Sequence, residues 1–100
     1  MRRAVIDIGT NTVKLFIADG MEPVFSKDIT TRLGQGMEAT GQLSRDAIAR
    51  TVHAVAAYAT EARESGATEV RALATSAARD AGNREELLSA VRTACGPARR

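Results

Sequence analysis

One stretch limits what this chain can fold into: Ala4-Val5-Ile6-Asp7-Ile8, then Gly9-Thr10-Asn11, then Thr12-Val13-Lys14-Leu15-Phe16-Ile17-Ala18. Valine, isoleucine and phenylalanine favour extended backbone, and the Gly-Thr-Asn break suits a tight strand-to-strand reversal. Asp7 is the one acid inside the first apolar run. A carboxylate two residues before a turn of small hydroxyl and amide residues suits a phosphate and its metal. Glycine lets backbone come close, the turn amides and the Thr10 hydroxyl can donate to phosphate oxygens, and Asp7 can hold Mg2+ directly or through water. From spacing alone, a plain hairpin whose acid is a turn residue fits equally well.

The rest of the chain predicts an α/β layout. Asp19-Gly20 marks a second hairpin turn, and Glu22 to Thr31 a third extended segment with Pro23 near its start, as on an edge strand. Leu33 to Leu43 carries Gly34, Gly36 and Gly41 and reads as a plain connector. Its Gly34-Gln35-Gly36 is not a Walker-type phosphate loop, because no Lys-Ser or Lys-Thr follows and no strand leads into a helix there. Ser44 is expected to cap a long helix whose apolar stripe is Ile48, Val52, Val55, Ala59 and Ala62, stopped at Gly66. His53 lies beside that stripe without ligand spacing to other donors, and Tyr58 reads as a packing residue.

Glu69 to Ala74 is the next strand, and a crossover through a long helix delivers it parallel to an earlier one. It runs into Thr75-Ser76-Ala77-Ala78-Arg79-Asp80-Ala81, where backbone amides at a strand-to-helix junction favour anions and Arg79 would add a planar, permanent donor. Ordinary surface charges are the simpler account of Arg79 and Asp80. A last helix is expected after Asn83, with Glu86 completing a capping box, Leu87, Leu88, Val91 and Cys95 on its apolar side, and Gly96-Pro97 as its stop. Cys95 is expected to be a buried small hydrophobe.

Composition excludes several classes. A chain of 100 residues makes one domain at most, and 3% aromatics without Trp leave the core to Ala, Val, Leu and Ile. The net charge of +2 comes from interspersed bases and acids, with Arg2, Arg3, Arg99 and Arg100 at the termini, so no nucleic-acid footprint is present. One cysteine cannot form an internal disulfide, and no apolar run nears the ~20 residues of a membrane-spanning helix. A soluble, cytoplasmic protein is expected.

Two segments resemble one family. Ala4 to Leu15 is similar to the opening of the exopolyphosphatase and guanosine pentaphosphate phosphohydrolase (Ppx/GppA) family, within the superfamily of actin, the sugar kinases and the Hsp70 ATPase. Val70 to Ala81 with Asn83 resembles that family's second early signature. Between them, Thr31 to Gly36, Gly41 to Ser44 and Ala47 to Thr51 fall where the family would have them. The opening motif occurs across the superfamily, whereas the pair in this order is specific to the phosphatases.

The resemblance implies a ribonuclease-H-like α/β domain with a mixed sheet, incomplete here, so that residues 1–100 form the N-terminal part of the first domain of a two-domain phosphatase core. It implies removal of terminal phosphoryl groups from inorganic polyphosphate, or of the 5′-phosphate of guanosine pentaphosphate, with Mg2+ or another divalent cation. Carried over residue by residue, Asp7 would serve the metal, Gly9, Thr10 and Asn11 the first phosphate loop, and Arg79 the phosphate in the cleft. The family's general-base glutamate, in a Gly-Glu-Glu-Ala-like context, and its Asp-x-Gly-Gly-Gly-Ser loop do not occur before Arg100. The chain alone is therefore expected to be inactive, and Glu85 and Glu86 are not that base. The expected partners are polyphosphate or guanosine pentaphosphate, with no nucleic acid and no membrane, and a homodimer is expected of the full-length protein. The alternatives are a non-catalytic polyphosphate- or nucleotide-binding module, and a phosphotransferase of the sugar or acetate kinase kind, against which the Arg79 segment argues.

Overall fold

The two apolar runs of the opening stretch become adjacent strands of a sheet. A computed structural model of the chain describes residues 1–75 and 79–95. Strands β1 (Arg2–Ile8), β2 (Thr12–Asp19) and β3 (Glu22–Thr30) form an antiparallel meander. The helix α2 (Arg45–Glu64) then carries the chain over to β4 (Glu69–Ala74), which pairs in parallel with β1. The order across the sheet is β3-β2-β1-β4, so β1 lies inside and β4 forms one edge. A second long helix, α3 (Arg84–Ala94), follows and packs beside α2.

Register decides which side chains are buried. Ala4, Ile6 and Ile8 sit opposite Ile17, Leu15 and Val13, and all six are at most 1% exposed under the helices. The residues between them, Val5, Asp7, Lys14 and Phe16, belong to the other face, where burial among the described residues is partial or lost. Fully burying one aliphatic side chain contributes roughly 1.5–3 kcal/mol, so the helix side holds this sheet together.

The long helix starts and stops as its sequence dictates. The Ser44 hydroxyl accepts the Ala47 N–H at 3.0 Å, Asp46 sits in the first turn, and Gly66 takes a φ of 94° just past the end. The Arg2 guanidinium donates to the Ser65 carbonyl at 2.7 Å, satisfying an acceptor left over at the helix C-terminus.

The buried face of α2 keeps Val55, Ala59 and Ala62 of the expected stripe, and in the first half of the helix is shifted by one residue. Ala47, Thr51, Ala54 and Tyr58 are also buried, while Ile48 and Val52 are half-buried on the flank. Alanines at Ala47, Ala54, Ala59 and Ala62 let the helix approach the sheet closely. His53 is exposed on this helix. Burial pushes the Tyr58 hydroxyl above its ordinary value, with Lys27 opposing.

Three further expectations are corrected. The segment 33–43 is not a bare connector: it holds a single helical turn, α1 (Met37–Thr40), between left-handed Gly36 and Gly41. The capping box of α3 does not form. Asn83 stands at the N-cap position without a capping side-chain bond, because its amide is engaged elsewhere, accepting the Leu43 N–H at 2.9 Å and donating to the Leu43 carbonyl at 3.0 Å. Cys95 is only partly buried, packed against the core margin, and the Arg63 guanidinium donates to its carbonyl. Ser76, Ala77 and Ala78 and the stop at Gly96-Pro97 lie outside the described residues.

Candidate functional site

The turn between β1 and β2 is closed by the Gly9 N–H donating to the Thr12 carbonyl at 2.9 Å. A Cβ on Gly9 would meet that same carbonyl oxygen at 3.1 Å, a tight approach that accounts for glycine here. Thr10 and Asn11 are exposed at its tip. Their carbonyls are turned onto the segment after β3: Gly34 N–H donates to Thr10 at 2.9 Å, and Thr31 and Arg32 N–H donate to Asn11 at 2.9 and 3.1 Å. Arg32 manages this with a φ of 51°, a left-handed conformation uncommon for a non-glycine residue. Sequence reasoning missed this docking, which runs from backbone to backbone.

Asp7 lies on the open face of the sheet, half-buried, with Lys14 of β2 and Leu73 of β4 as its register partners. Among the described residues its carboxylate has no hydrogen bond or ion pair. Among those residues, too, no three His, Cys, Asp or Glu side chains gather as a metal site. A zinc-type cage is thus not what these residues offer. A single free carboxylate beside a phosphate-type turn does fit Mg2+, which keeps several waters and takes ligands from substrate phosphates.

The two sequence segments meet through Thr75. Its N–H and its hydroxyl both bond the Ile8 carbonyl, each at 3.1 Å, which ties the end of β4 to the residue before Gly9. Beyond it Arg79 is helical, its N–H donating to the Thr75 carbonyl at 3.2 Å. Gly82 N–H bonds the Gly41 carbonyl at 3.0 Å, and with the Asn83–Leu43 pair this stitches the segment to the start of α2.

Arg79 reaches the same end of the sheet as the turn. It lines a space of about 470 Å³ with Ala74, Arg84 and Leu88. Arg84 donates to the Arg79 carbonyl at 3.5 Å, and neither guanidinium has a carboxylate partner among the described residues. Arg84 is a second candidate anion donor that sequence reasoning did not single out. Its sign at the start of a helix was the available clue, since a cation there opposes the helix dipole.

A ribonuclease-H-like α/β sheet, entered by a meander and carrying a Gly-Thr-Asn turn at the end of β1, defines the class. Within that class the chain belongs to the Ppx/GppA phosphatase family, which it matches over residues 11–98. It is 36% identical over 101 residues to "Exopolyphosphatase 1" of Mycobacterium leprae, covering 96% of this chain and 30% of that protein. To "Exopolyphosphatase 2" of Mycobacterium tuberculosis it is 40% identical over 105 residues, covering 97% of this chain and 33% of the relative. Among solved structures, the Aquifex aeolicus Ppx/GppA phosphatase superposes with a TM-score of 0.87 at 36% identity, over 96% of this chain and 33% of that one. The exopolyphosphatase of Cytophaga hutchinsonii superposes with a TM-score of 0.88 at 26% identity, over 98% of this chain and 33% of that one. The chain therefore spans about a third of the length of the relatives it matches. Among the described residues no helix is long and apolar enough to cross a membrane.

Proposed function

We propose that this chain is the N-terminal part of the first domain of a cytoplasmic phosphatase. That enzyme would remove terminal phosphoryl groups from inorganic polyphosphate, or the 5′-phosphate of guanosine pentaphosphate. The observation that carries the reading is the parallel pairing of β1 with β4, extended by two hydrogen bonds from Thr75 to the Ile8 carbonyl, which joins the two family segments at one end of the sheet. In this reading Gly9, Thr10 and Asn11 cradle a phosphate, and Asp7 holds Mg2+ through its carboxylate and water. Arg79, with Arg84 beside it, binds a further phosphate of the same anion. Phosphoryl transfer asks a protein mainly for positioning and for compensation of negative charge, and these residues supply both. Bound Mg2+ would add charge neutralisation between phosphate oxygens. The full-length protein is proposed to be a homodimer.

The test uses the 100-residue chain and two measurements. Tripolyphosphate should bind more tightly with Mg2+ than without, and Asp7→Ala should abolish that difference while leaving the melting temperature in place. Phosphate release from long-chain polyphosphate should be absent, since the general-base glutamate that the family resemblance calls for is not in this sequence. A chain that shows no Mg2+-dependent binding, or an Asp7→Ala variant that keeps it, would sink the assignment.

The second reading is a binding module that holds such anions without hydrolysis. The absence of three gathered His, Cys, Asp or Glu side chains among the described residues favours it. Metal-dependent phosphate release by this chain would exclude it.

A further inference from the structure

The turn at Gly9–Asn11 is set in place by a residue well away from it in sequence. Arg50 projects from α2 onto the segment after β3 and there meets several acceptors. Its Nε donates to the Thr31 carbonyl at 2.8 Å, and its Nη2 donates to the Arg32 carbonyl at 3.3 Å and to Gln35 Oε1 at 3.0 Å. The N–H groups of Thr31 and Arg32 point the other way, to the Asn11 carbonyl, and Gly34 N–H points to that of Thr10. One planar guanidinium thus holds the back of a short segment whose front holds the turn.

We propose that Arg50 is a positioning residue for anion binding at the turn, acting through the segment 31–35 and not by touching the anion. Three physical points support this. First, carbonyl oxygens repel phosphate, and the docked segment draws those of Thr10 and Asn11 aside. Second, a carbonyl that accepts a hydrogen bond makes the N–H of the same peptide a stronger donor. The bond from Arg50 Nε to the Thr31 carbonyl therefore sharpens the Arg32 N–H, the donor that holds the Asn11 carbonyl aside. Third, Arg32 occupies the left-handed region at φ 51°, and a conformation of that kind persists only where surrounding bonds over-determine it. Arg50 and Gln35 hold its carbonyl while Asn11 holds its N–H. Arginine is required, because a lysine is a point donor and cannot span these acceptors in one plane.

The proposal rests on the turn being a phosphate cradle, and the experiment separates the two. Tripolyphosphate binding and amide hydrogen exchange are measured on the 100-residue chain and on Arg50→Ala, Arg50→Lys and Arg45→Ala. Arg45 lies on the same helix, makes no ion pair or hydrogen bond through its guanidinium among the described residues, and controls for net charge. Arg50→Ala should weaken binding by about tenfold and speed exchange at Thr31, Arg32 and Gly34. Arg50→Lys should fall between, and Arg45→Ala should match the parent. Weakened binding with unchanged exchange at those amides would mean that Arg50 meets the anion directly, and overturns the positioning role. Unchanged binding in Arg50→Ala overturns it also. If Arg50→Ala does not fold, Arg50→Lys carries the same comparison. If the parent itself does not bind tripolyphosphate, the phosphate-cradle reading fails. The exchange data then decide alone whether Arg50 sets the turn.

Discussion

The two faces of the sheet divide the work of this chain. On the helix side, Ile6, Ile8, Val13, Leu15 and Ile17 lose nearly all contact with water. One residue along, on the other side, Asp7 and Val5 are half-buried, Phe16 is 45% exposed and Leu73 55% exposed. The same strands thus carry stability on one parity and candidate chemistry on the other. A carboxylate can be placed at Asp7 without a buried partner because its face is not the core, so its desolvation is incomplete. The lesson is that changes at adjacent positions should separate folding from binding.

The sharpest way to break this comparison is a pair of neighbours. Leu15→Ala should cost about 3 kcal/mol in denaturant unfolding, whereas Phe16→Ala should cost under about 1 kcal/mol. Equal losses would mean that the open face is covered in solution, for instance by self-association. Gly9→Ala tests the border between the faces. Its new methyl group crowds the Thr12 carbonyl, and a loss of about 1 kcal/mol, with shifted Thr10 and Asn11 amide resonances, is expected.

Away from the site, burial raises the Cys95 thiol above its ordinary value, with Arg63 opposing. Thiolate is the reactive form, so the pH midpoint of iodoacetamide labelling should lie above that of a free cysteine peptide. The neutral thiol is favoured in the fold. Its contribution is complete below the unfolded-state value and is lost as pH rises through the folded one. An unshifted midpoint would place the thiol in water. The smallest effect is expected at Thr51, whose buried hydroxyl has no hydrogen-bond partner among the described residues. Thr51→Val should leave the melting temperature unchanged or slightly raised. A clear loss would reveal a partner for that hydroxyl.

Much of the frame was legible in the residues. The apolar runs Ala4–Ile8 and Val13–Ile17 around Gly-Thr-Asn state the strands, and Ser44 and Gly66 bracket α2 because capping is local chemistry. Less legible was the face of α2. Alanines at Ala47 and Ala54 carry little hydrophobic weight in a pattern, yet close approach to the sheet favours them over Ile48 and Val52. Asn83 was misjudged for a related reason. A capping preference is visible in sequence, but a bidentate pairing with Leu43, 40 residues away, competes with it and prevails. At the candidate site, the turn itself was readable from residue type. The docking of Thr31–Gly34 was not, because peptide groups are the same in every residue. Nor could spacing place Arg79 in a pocket with Arg84 and Leu88.

The parallel pairing of β1 with β4 has a consequence in time. The meander β1–β2–β3 closes through short loops, whereas Ile8 must wait for Ala74, across α2, before its other edge is paired. Closing so long a loop costs chain entropy that must be met before the contact returns anything, and such contacts form late. The turn at Gly9–Asn11 therefore exists early in folding as a hairpin, and the Thr75 latch, with Arg79 behind it, arrives last. A folding intermediate with a formed turn and an undocked second segment would hold anions poorly, so tripolyphosphate, if it bridges both, should slow unfolding of β4 more than that of the meander.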